Sequence, residues 1–405
     1  MLNDRHPGFM FVLPWGDLTR SGGVNEAVVN LWNQFEQNGR FRPVLLAASW
    51  EDRKPIRKEV NGRPTIFWRL RTPWGPVALL SFLAYLPSST VKMRHLLQRE
   101  NITVMNFVYP TLNALGFVIV RLLRLYRGKI LLNFQGSDIK VACASRGIER
   151  LLWRVLLSSV DACVAVSQRM RKETLTLCPS ANVVVVYNGV DLKQFYTESE
   201  RNRSFEAQLP QAPYILNVGQ FIPRKGQDIL IDAFACVVKQ FPNTRLVLVG
   251  RSGAFLGTLT EMIEHHGLTD NVLIFRDVPH EQIGIFFEKA ALFVLPSRGE
   301  GFAIVLLEAA AFALPIIAAD VDGAAELITH GENGRLVPSE NVAKLSDEIL
   351  DLLGSPDTAR EAGKRNLKIV RDRFEWSHAY RAYTKLITNS SGLAFEADSE
   401  TERVV

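Results

Sequence analysis

The feature that most restricts the fold of this 405-residue chain is a repeated alternation of short aliphatic runs with longer amphipathic stretches. The short runs have the length and β-branched content of buried strands, and the amphipathic stretches have the apolar spacing of helices. Strands that alternate with helices build βαβ units, in which the strands are parallel. Both halves of the chain show this pattern, and a chain of this length is expected to form two domains. The sequence therefore predicts an α/β fold with two doubly wound units.

The alternation also predicts the approximate order of the elements. A helix is predicted at 23–38, and strands of the first half are predicted at 8–13, 44–48, 102–107, 130–134, 162–167 and 183–186. Residues 197–213 are polar and are interpreted as a linker. Strands of the second half are predicted at 214–218, 245–249, 271–275, 291–295 and 315–319. We therefore place a first domain at 1–196, a second at 213–370 and a flexible tail at 391–405, with a ligand-binding cleft between the domains.

Charge is distributed unevenly along the chain. Residues 1–190 contain 25 Lys and Arg against 12 Asp and Glu, whereas the remainder contains 22 against 30. The basic first half is expected to face an anionic partner, such as a phosphate-bearing lipid or a membrane surface. Nucleic acid is the competing anionic partner, but no helix-turn-helix, zinc-finger or RNA-recognition motif accompanies the charge. A basic face that contacts only solvent is the remaining alternative.

Cysteine spacing and the length of the apolar runs indicate the compartment. The four cysteines form no CxxC pair, which argues against a zinc site and suits a reducing cytosol. The N-terminus lacks the charged region and cleavage site of a signal peptide. The apolar runs are shorter than the roughly 20 residues that span a bilayer. We expect a cytoplasmic protein that crosses no membrane but can lie on its inner face.

Two glutamates interrupt the apolar segment 298–315, RGEGFAIVLLEAAAFALP. A helix is predicted to begin near Gly301, which would place Glu300 and Glu308 on one side, about 12 Å apart along the axis. Glycosidase carboxylates act roughly 5 to 10 Å apart, so this pair is too widely spaced for that chemistry. The spacing suits an elongated ligand, such as a nucleotide sugar, with its phosphates at the helix N-terminus. The structural alternative is that Glu300 complements the helix dipole and Glu308 extends to water, although apolar neighbours favour a buried, partnered Glu308.

Residues 296–337, PSRGEGFAIVLLEAAAFALPIIAADVDGAAELITHGENGRLV, resemble the hallmark segment of glycosyltransferase family 4, whose members are retaining enzymes of the GT-B fold. The E-x7-E pair of that family falls on Glu300 and Glu308, and Glu326 and the turn Asn333-Gly334 follow. Three other segments are similar to family motifs: the glycine loop at 21–23, the N-G-V-D at 188–191 and the VGxxxxxKG donor loop at 218–226. The resemblance covers most of the chain.

The resemblance implies a GT-B fold with two Rossmann-like domains, and a C-terminal helix near 371–390 that packs back on the first domain. It implies a hexosyltransferase that moves a sugar from a nucleotide-diphosphate sugar to an acceptor hydroxyl with retained anomeric configuration. Glu300 would contact the donor sugar and Glu308 the ribose. Lys225, with Arg224, would neutralise the departing diphosphate, whose negative charge grows in the transition state. No metal or other cofactor is expected.

The same resemblance extends the candidate donor-binding set. Its members are Gly22, Gly23, Gly219, Gly250, Val278, Gly301, Phe302 and Ala303. Without a Cβ atom, Gly22 and Gly23 would let main-chain amides approach the ligand, and an ordinary strand-to-helix turn is the alternative. For Arg224 and Lys225 the alternative is a solvated loop.

Two positions depart from the family pattern. Gln135 stands where many members carry histidine, and an amide can hydrogen-bond a sugar but cannot titrate. Gln220 replaces a common arginine, which leaves Arg224 to supply that charge. Gln135 remains a catalytic candidate, and it is also the main argument for the alternative of a non-catalytic nucleotide-sugar-binding homologue.

Two other interpretations are weaker. Asp320-Val321-Asp322 forms a D-x-D metal motif, but it lies inside the segment that matches the GT-B hallmark. Residues 250–257 place glycines after a predicted strand with the spacing GxxGxxxG. A dinucleotide loop has the spacing GxGxxG, so an NAD-dependent oxidoreductase is a weak alternative.

The acceptor is predicted to be lipid-linked, as in polysaccharide precursors, because apolar and basic residues alternate in two stretches of the first half. Residues 79–85 carry an apolar patch shortly after Arg69 and Arg71. Residues 116–129, GFVIVRLLRLYRGK, are interpreted as an amphipathic basic helix that lies in a membrane interface. The same charge would attract a polyprenyl-phosphate acceptor. The alternative is that these apolar residues belong to core helices.

Overall fold

The computed structural model describes residues 6–16, 22–192, 203–321 and 323–388. The chain divides into two compact units, one within 1–187 plus the segment from 379, the other within 188–378. Each contains a mainly parallel sheet with helices, which confirms the α/β class with two doubly wound units. The first unit ends at Tyr187, whereas the predicted domain extended to 196. The tail predicted at 391–405 lies outside the described residues.

The first unit is built on an eight-stranded sheet with the order β3-β4-β2-β1-β5-β6-β7-β8. Its strands are β1 (Gly8–Leu13), β2 (Arg42–Ala48), β3 (Ile56–Val60), β4 (Arg63–Trp68), β5 (Ile102–Val108), β6 (Lys129–Phe134), β7 (Ala162–Ala165) and β8 (Val183–Val185). Its helices are α1 (Gly23–Asn38), α2 (Gly75–Arg99), α3 (Ala114–Leu122), α4 (Ser137–Ala144), α5 (Gly147–Ser158) and α6 (Gln168–Leu177). Every pair of neighbouring strands is parallel except β3 with β4.

Helices cover both faces of this sheet, and the strands are accordingly apolar on both sides. All six residues of β1 are buried. The helices α2, α3 and α5 contact one another on one face. This arrangement follows from right-handed crossovers that run toward the β8 edge. The crossover from β1 to β2 runs the other way, so α1 packs on the opposite face.

The β3–β4 hairpin was missed by the sequence analysis. Its turn contains Asn61 and Gly62, with φ angles of 51° and 71°. Positive φ at both central residues is the geometry of a two-residue hairpin turn that Asn-Gly favours. The dipeptide between two β-branched runs was therefore a usable sequence indication.

The second unit is built on a six-stranded parallel sheet with the order β11-β10-β9-β12-β13-β14. Its strands are β9 (Tyr214–Val218), β10 (Arg245–Gly250), β11 (Val272–Arg276), β12 (Ala290–Leu295), β13 (Ile316–Ala319) and β14 (Gly334–Val337). Its helices are α7 (Arg203–Gln208), α8 (Gln227–Gln240), α9 (Phe255–His265), α10 (Gly284–Glu288), α11 (Ile304–Ala311), α12 (Val342–Gly354) and α13 (Pro356–Arg373). The last helix, α14 (Trp376–Thr388), begins in this unit and continues into the first.

Two predicted segments differ from the structure. The linker predicted at 197–213 contains α7, so part of it is helical. The prediction of a single amphipathic helix at 116–129 is wrong, because α3 ends at Leu122 and β6 begins at Lys129. Phe117 and Val118 are buried in the core, and the ring of Phe117 lies 5.4 Å from that of Phe107. Among the described helices, none combines the length and apolar character needed to cross a membrane.

The two ends of α14 make different contacts. In the second unit, a Cβ atom on Gly189 would lie 2.5 Å from the backbone nitrogen of Trp376, so the N-G-V-D segment needs glycine for close packing. In the first unit, the ring of Tyr380 lies 5.1 Å from that of Phe35 on α1. The helix thus packs on the first unit through its second half, although it begins five residues later than the predicted position near 371.

Gly363 allows α13 to approach the turn after α11, and its replacement tests that packing. A Cβ atom at Gly363 would lie 1.9 Å from the carbonyl oxygen of Ala313, whereas one at Gly354 would meet no atom within 4 Å. We expect Gly363→Ala to lower the free energy of unfolding by about 2 kcal/mol or more. Gly354→Ala is the matched control and is expected to be neutral or slightly stabilising. Urea denaturation measures both, and equal stabilities of the two variants would contradict the packing argument.

Candidate active site

The strand order of the second unit reverses direction between β9 and β12. From β9 the chain proceeds through β10 to β11 on one side, whereas β12, β13 and β14 follow on the other. Ligands of doubly wound sheets bind beyond the carboxyl ends of the strands at such a switch point. The loops 219–226 and 296–303 follow β9 and β12 and therefore lie at this position. Of the predicted site residues, these loops contain Gly219, Arg224, Lys225, Glu300, Gly301, Phe302 and Ala303.

Gly226 brings these two loops together. Its φ angle is 69°, and a Cβ atom there would lie 2.1 Å from the carbonyl oxygen of Pro296. Glycine is required for both reasons. Other residues rarely adopt this φ, and the position has no room for a side chain. The turn that Gly226 ends carries Lys225, so the close approach places the lysine beside the segment that follows β12.

Lys225 and Glu300 form an ion pair in which the Nζ and Oε1 atoms lie 2.6 Å apart. The Ser297 hydroxyl donates a second hydrogen bond to the same carboxylate oxygen, at 2.8 Å. The Lys225 and Glu300 side chains retain 16% and 10% of their exposure. Charges that are largely shielded from solvent interact strongly with a charged ligand, because the effective dielectric constant around them is low. The structure therefore brings together two residues that the sequence analysis assigned to the diphosphate and to the sugar.

Arg298 holds the two loops in register, and the sequence analysis gave it no role. Its guanidinium donates to both carboxylate oxygens of Asp228, at 2.9 and 2.8 Å, and to Glu340 at 2.9 Å. These hydrogen bonds, above all those to Asp228, raise the pKa of Arg298 beyond its usual range. The backbone nitrogen of Arg298 also donates to the carbonyl oxygen of Arg224, at 2.8 Å. The position of Arg298, two residues before Glu300, was the available sequence indication.

The helix of the hallmark segment begins later than predicted. It starts at Ile304 rather than near Gly301, and it ends at Ala311. Glu300 therefore lies in the loop, and the predicted axial separation from Glu308 does not apply. The delay leaves Gly301, Phe302 and Ala303 in extended or turn conformation, and Phe302 stacks on Phe374 with ring centroids 5.6 Å apart. All three are buried at the helix start.

Glu308 is buried inside the unit, with 5% of its surface exposed. Its Oε1 atom lies 3.7 Å from the Nε2 atom of His280, which follows β11. A buried carboxylate needs such partners. The burial of Glu308 was predicted from the sequence, whereas its contact with His280 was not.

The other predicted donor-binding residues of this unit also lie at the carboxyl ends of strands. A Cβ atom on Gly250 would lie 2.2 Å from the carbonyl oxygen of Gly219, so this glycine keeps the ends of β9 and β10 close. The amide of Gly219 in turn donates to Val249. Val278 follows β11 and is half-buried, beside Asp277 with its φ of 54°. Arg224 is exposed next to Lys225.

The first unit has its own switch point, between β1 and β5. Gly22 and Gly23 follow β1, and a Cβ atom on either would meet no atom of the described residues within 4 Å. The open space leaves room for a ligand near their amides, while Ser21 of the same motif lies outside the described residues. Gln135 follows β6, one strand beyond β5, and belongs to this unit and not to that of Lys225 and Glu300.

Asp138 organises the turn that carries Gln135. Its carboxylate accepts hydrogen bonds from the backbone nitrogens of Gln135, Gly136 and Ile139, at 2.9, 2.8 and 3.0 Å. Burial nevertheless outweighs these donors and raises the pKa of Asp138 to about 6. The Gln135 side chain donates to Asn133 Oδ1 at 2.8 Å, which fixes its amide orientation.

Two aromatic residues at the first switch point were missed. Tyr109 directly follows β5 and has a φ of 57°, a strained value for a bulky residue. Its ring lies 5.3 Å from that of Trp15, and its hydroxyl oxygen lies 2.7 Å from Ser137 Oγ. Their positions just past β1 and β5 were the available indication.

Metal-binding geometry is not found in the described part of the chain, where no three His, Cys, Asp or Glu side chains are grouped to hold an ion. Asp320 follows β13, and its backbone nitrogen donates to Val337. Asp322, the second acid of the D-x-D motif, lies outside the described residues.

Comparison with known proteins agrees with this geometry. Residues 198–368 match the family model of glycosyl transferases group 1, and residues 21–194 match that of glycosyltransferase family 4. The chain is 30% identical over 207 residues to a GDP-mannose-dependent phosphatidylinositol monomannoside mannosyltransferase of Mycolicibacterium smegmatis, covering 49% of this chain and 54% of that enzyme. It is 27% identical to the N-acetyl-alpha-D-glucosaminyl L-malate synthase of Bacillus anthracis, covering 70% and 74% of the two chains. The chain thus spans about half the length of the first relative.

Solved structures share the fold at lower identity. The sucrose-phosphate synthase of Thermosynechococcus elongatus superimposes with a TM-score of 0.73 at 23% identity, covering 94% of this chain and 98% of that one. Anabaena HepE, solved with UDP and glucose, superimposes with a TM-score of 0.72 at 17% identity, covering 93% and 98%.

The two switch-point sites and these matches define a glycosyltransferase of two Rossmann-like domains, as the sequence analysis predicted. The chain belongs to glycosyltransferase family 4, with the group 1 glycosyl transferase domain as its second half.

The raised pKa of Asp138 predicts a pH-dependent contribution to stability. A carboxyl group whose pKa is higher in the folded state, here about 6 against an ordinary 3.8, favours folding when protonated. Its contribution is therefore present below pH 4 and is lost as the pH rises through 6. The difference corresponds to about 3 kcal/mol. Urea denaturation between pH 4 and 7 should show a shallower decline in stability for Asp138→Asn than for the wild type. Parallel pH profiles of the two proteins would contradict the assignment.

Proposed function

We propose that the protein transfers a hexose from a nucleotide-diphosphate sugar to an acceptor hydroxyl, with the anomeric configuration retained. The observation that carries the proposal is the Lys225–Glu300 pair at the switch point of the second unit, with buried Glu308 on the adjoining helix. One relative is named for a GDP-mannose donor, and Anabaena HepE was solved with UDP and glucose, which supports a nucleotide-sugar donor.

Each part of the donor has a matching group. Lys225, with exposed Arg224 beside it, supplies positive charge for the diphosphate as it leaves, where charge grows in the transition state. Free backbone N–H groups at the start of α11 favour the same anion. Glu300 accepts from hydroxyls of the sugar, and Glu308 accepts from those of the ribose. In the first unit, Gly22, Gly23 and Gln135 are proposed to bind ligand at that unit's own switch point.

The acceptor is proposed to be lipid-linked. The relative from Mycolicibacterium smegmatis is named for a phosphatidylinositol mannoside acceptor. The basic first half of this chain suits a phosphate-bearing lipid or polyprenyl phosphate in the same way. A cytoplasmic enzyme at the inner face of the membrane, acting on a polysaccharide precursor, agrees with both points.

A non-catalytic nucleotide-sugar-binding protein is the second candidate. It rests on Gln135, which cannot titrate. A screen of nucleotide sugars, beginning with GDP-mannose and UDP-glucose, tests both candidates. Thermal stabilisation by one of them together with release of the nucleoside diphosphate supports the enzyme, whereas stabilisation without turnover on any acceptor supports the binding protein. No stabilisation by any nucleotide sugar would contradict both.

Substitution of the two glutamates separates their roles. Glu308→Ala should weaken binding of the free nucleoside diphosphate about tenfold to a hundredfold, since hydrogen bonds to a charged group contribute about 1.5–3 kcal/mol. Glu300→Ala should leave that affinity unchanged or higher, because Lys225 loses its carboxylate partner, while transfer falls sharply. Isothermal titration and turnover assays measure the two effects.

The exposed Glu332 provides the control for these variants, since Glu332→Ala deletes a solvent-exposed carboxylate of the same unit. It should change neither affinity nor turnover. An equal loss of nucleotide affinity in the Glu300 and Glu308 variants would refute the assignment of each glutamate to one end of the donor.

We also propose that donor binding needs no divalent metal. Lys225 and the amides at the start of α11 can balance the diphosphate charge that other glycosyltransferase folds balance with a cation. Transfer should therefore persist at full rate in EDTA. Activity that disappears with EDTA and returns with Mn²⁺ would instead favour Asp320 and Asp322 as ligands.

A further inference from the structure

The exposed apolar side chains of this protein are concentrated on the first unit. Every large hydrophobic side chain that is exposed among the described residues lies between 50 and 155. They are Trp50, Ile56, Trp74, Val77, Leu80, Leu83, Val91, Leu122, Leu123, Val141, Ile148, Leu151 and Val155. Scattered exposed apolar residues need no explanation, but a group on adjoining elements indicates a binding surface.

Helix α5 carries apolar residues on two opposite sides. Trp153, Leu156 and Leu157 are buried against the unit. Ile148, Leu151 and Val155 have spacings of three and four residues, share the outer side, and are 42%, 54% and 44% exposed. The buried inner side is sufficient to hold this helix on the unit, so the exposed apolar residues are not needed for folding.

Neighbouring helices continue this apolar surface. On α2, Val77, Leu80 and Leu83 are 81%, 68% and 50% exposed, and Leu122 and Leu123 are exposed at the end of α3. The helices α2, α3 and α5 contact one another on the same face of the sheet. We call the α2–α5 surface the set formed by Val77, Leu80, Leu83, Leu122, Leu123, Ile148, Leu151 and Val155.

The charge around the α2–α5 surface is mostly positive. Residues 60–161 contain 14 Lys and Arg but only 4 Asp and Glu. Glu100 and Asp138 are buried, Glu149 is half-buried, and the exposed Asp161 pairs with Arg121 of α3. On α5 itself, Arg150 and Arg154 are exposed and flank the side that carries Leu151 and Val155.

We infer that the α2–α5 surface docks on an anionic lipid leaflet, with α5 in the plane of the interface. Exposed leucine, isoleucine and valine enter the boundary between headgroups and acyl chains, while flanking arginines contact phosphates. This inference deepens the proposed function and rests on it for its biological meaning, since a lipid-linked acceptor lies in the same leaflet. The α2–α5 surface takes the place of the predicted helix at 116–129 as the lipid-contacting element, because Phe117 and Val118 of that segment are core residues.

Two other occupants fit the same residues less well. A second copy of the chain would bring two strongly basic surfaces together with few acids to pair them, which is unfavourable. Nucleic acid would satisfy the arginines, but single strands are bound by stacking on aromatic side chains, and the α2–α5 surface offers aliphatic ones.

Flotation with lipid vesicles tests the inference on the full-length protein. We expect binding to vesicles that mix phosphatidylglycerol into phosphatidylcholine, weak binding to pure phosphatidylcholine, and a loss of binding as NaCl is raised. Binding that ignores anionic lipid and salt, or no binding to either vesicle, would overturn the inference.

Two double variants separate the apolar and charged contributions. Leu151→Ser with Val155→Ser should abolish most vesicle binding, because insertion depends on these side chains. Arg150→Gln with Arg154→Gln should weaken it about thirtyfold, since each basic residue near an anionic leaflet contributes about a factor of five. All four residues are exposed, so folding should be unaffected.

The controls are matched in chemistry and placed elsewhere. Arg360→Gln with Arg371→Gln removes two exposed arginines from α13 of the second unit, and Ile56→Ser removes an exposed apolar side chain at the far edge of the first sheet. Neither should alter vesicle binding. Equal losses in the controls and in the α5 variants would overturn the assignment of the α2–α5 surface.

Two further measurements distinguish this inference from the proposed function. Sedimentation without lipid tests the second-copy alternative, and a dimer that Leu151→Ser with Val155→Ser dissociates would overturn the lipid inference. Donor binding in lipid-free buffer tests the glycosyltransferase proposal. Intact donor binding without vesicle binding refutes only the docking surface, whereas vesicle binding without donor binding refutes only the proposed reaction.

Discussion

The contact between Gly226 and the carbonyl oxygen of Pro296 determines how the second unit forms its site. At this point the loops after β9 and β12 approach more closely than any side chain would allow. The turn that ends at Gly226 carries Lys225, and the segment after Pro296 carries Ser297, Arg298 and Glu300. The ion pairs and hydrogen bonds of the site depend on this backbone approach, because it brings the residues of the two loops within reach of one another.

The two ion pairs at this position differ in how readily the cation can exchange its partner. Arg298 and Asp228 form a bidentate pair, and Arg298 also donates to Glu340 and to the backbone, so its hydrogen-bonding capacity is used within the protein. Lysine is a compact charge with three rotatable donors, and it can exchange one partner for another. Lys225 can therefore turn from Glu300 toward a diphosphate while Arg298 keeps the loops in place. In the proposed reaction, Glu300 then accepts from sugar hydroxyls in place of Lys225.

The sequence predicted the repeating parts of the fold well and the exceptions poorly. β1 and α1 have the predicted bounds, because a fully buried strand and an amphipathic helix have distinct apolar spacing. The start of α11 was placed three residues early, since Gly301, Phe302 and Ala303 have no local feature that excludes a helix, and only packing of Phe302 on Phe374 shows the loop. Arg298 and His280 were missed because their partners are distant in sequence.

Apolar spacing alone could not separate core from surface on the helices of the first unit. Both α3 and α5 carry apolar residues on more than one side, and only residues 116–129 were interpreted from the sequence as an interfacial helix. Burial distinguishes the two helices: Phe117 and Val118 of α3 lie in the core, whereas Ile148, Leu151 and Val155 of α5 are exposed. A helix that is apolar on both sides is usually enclosed on both sides. On α5 the outer side has no covering element in the described part of the chain, and the arginines beside it indicate that the cover is anionic.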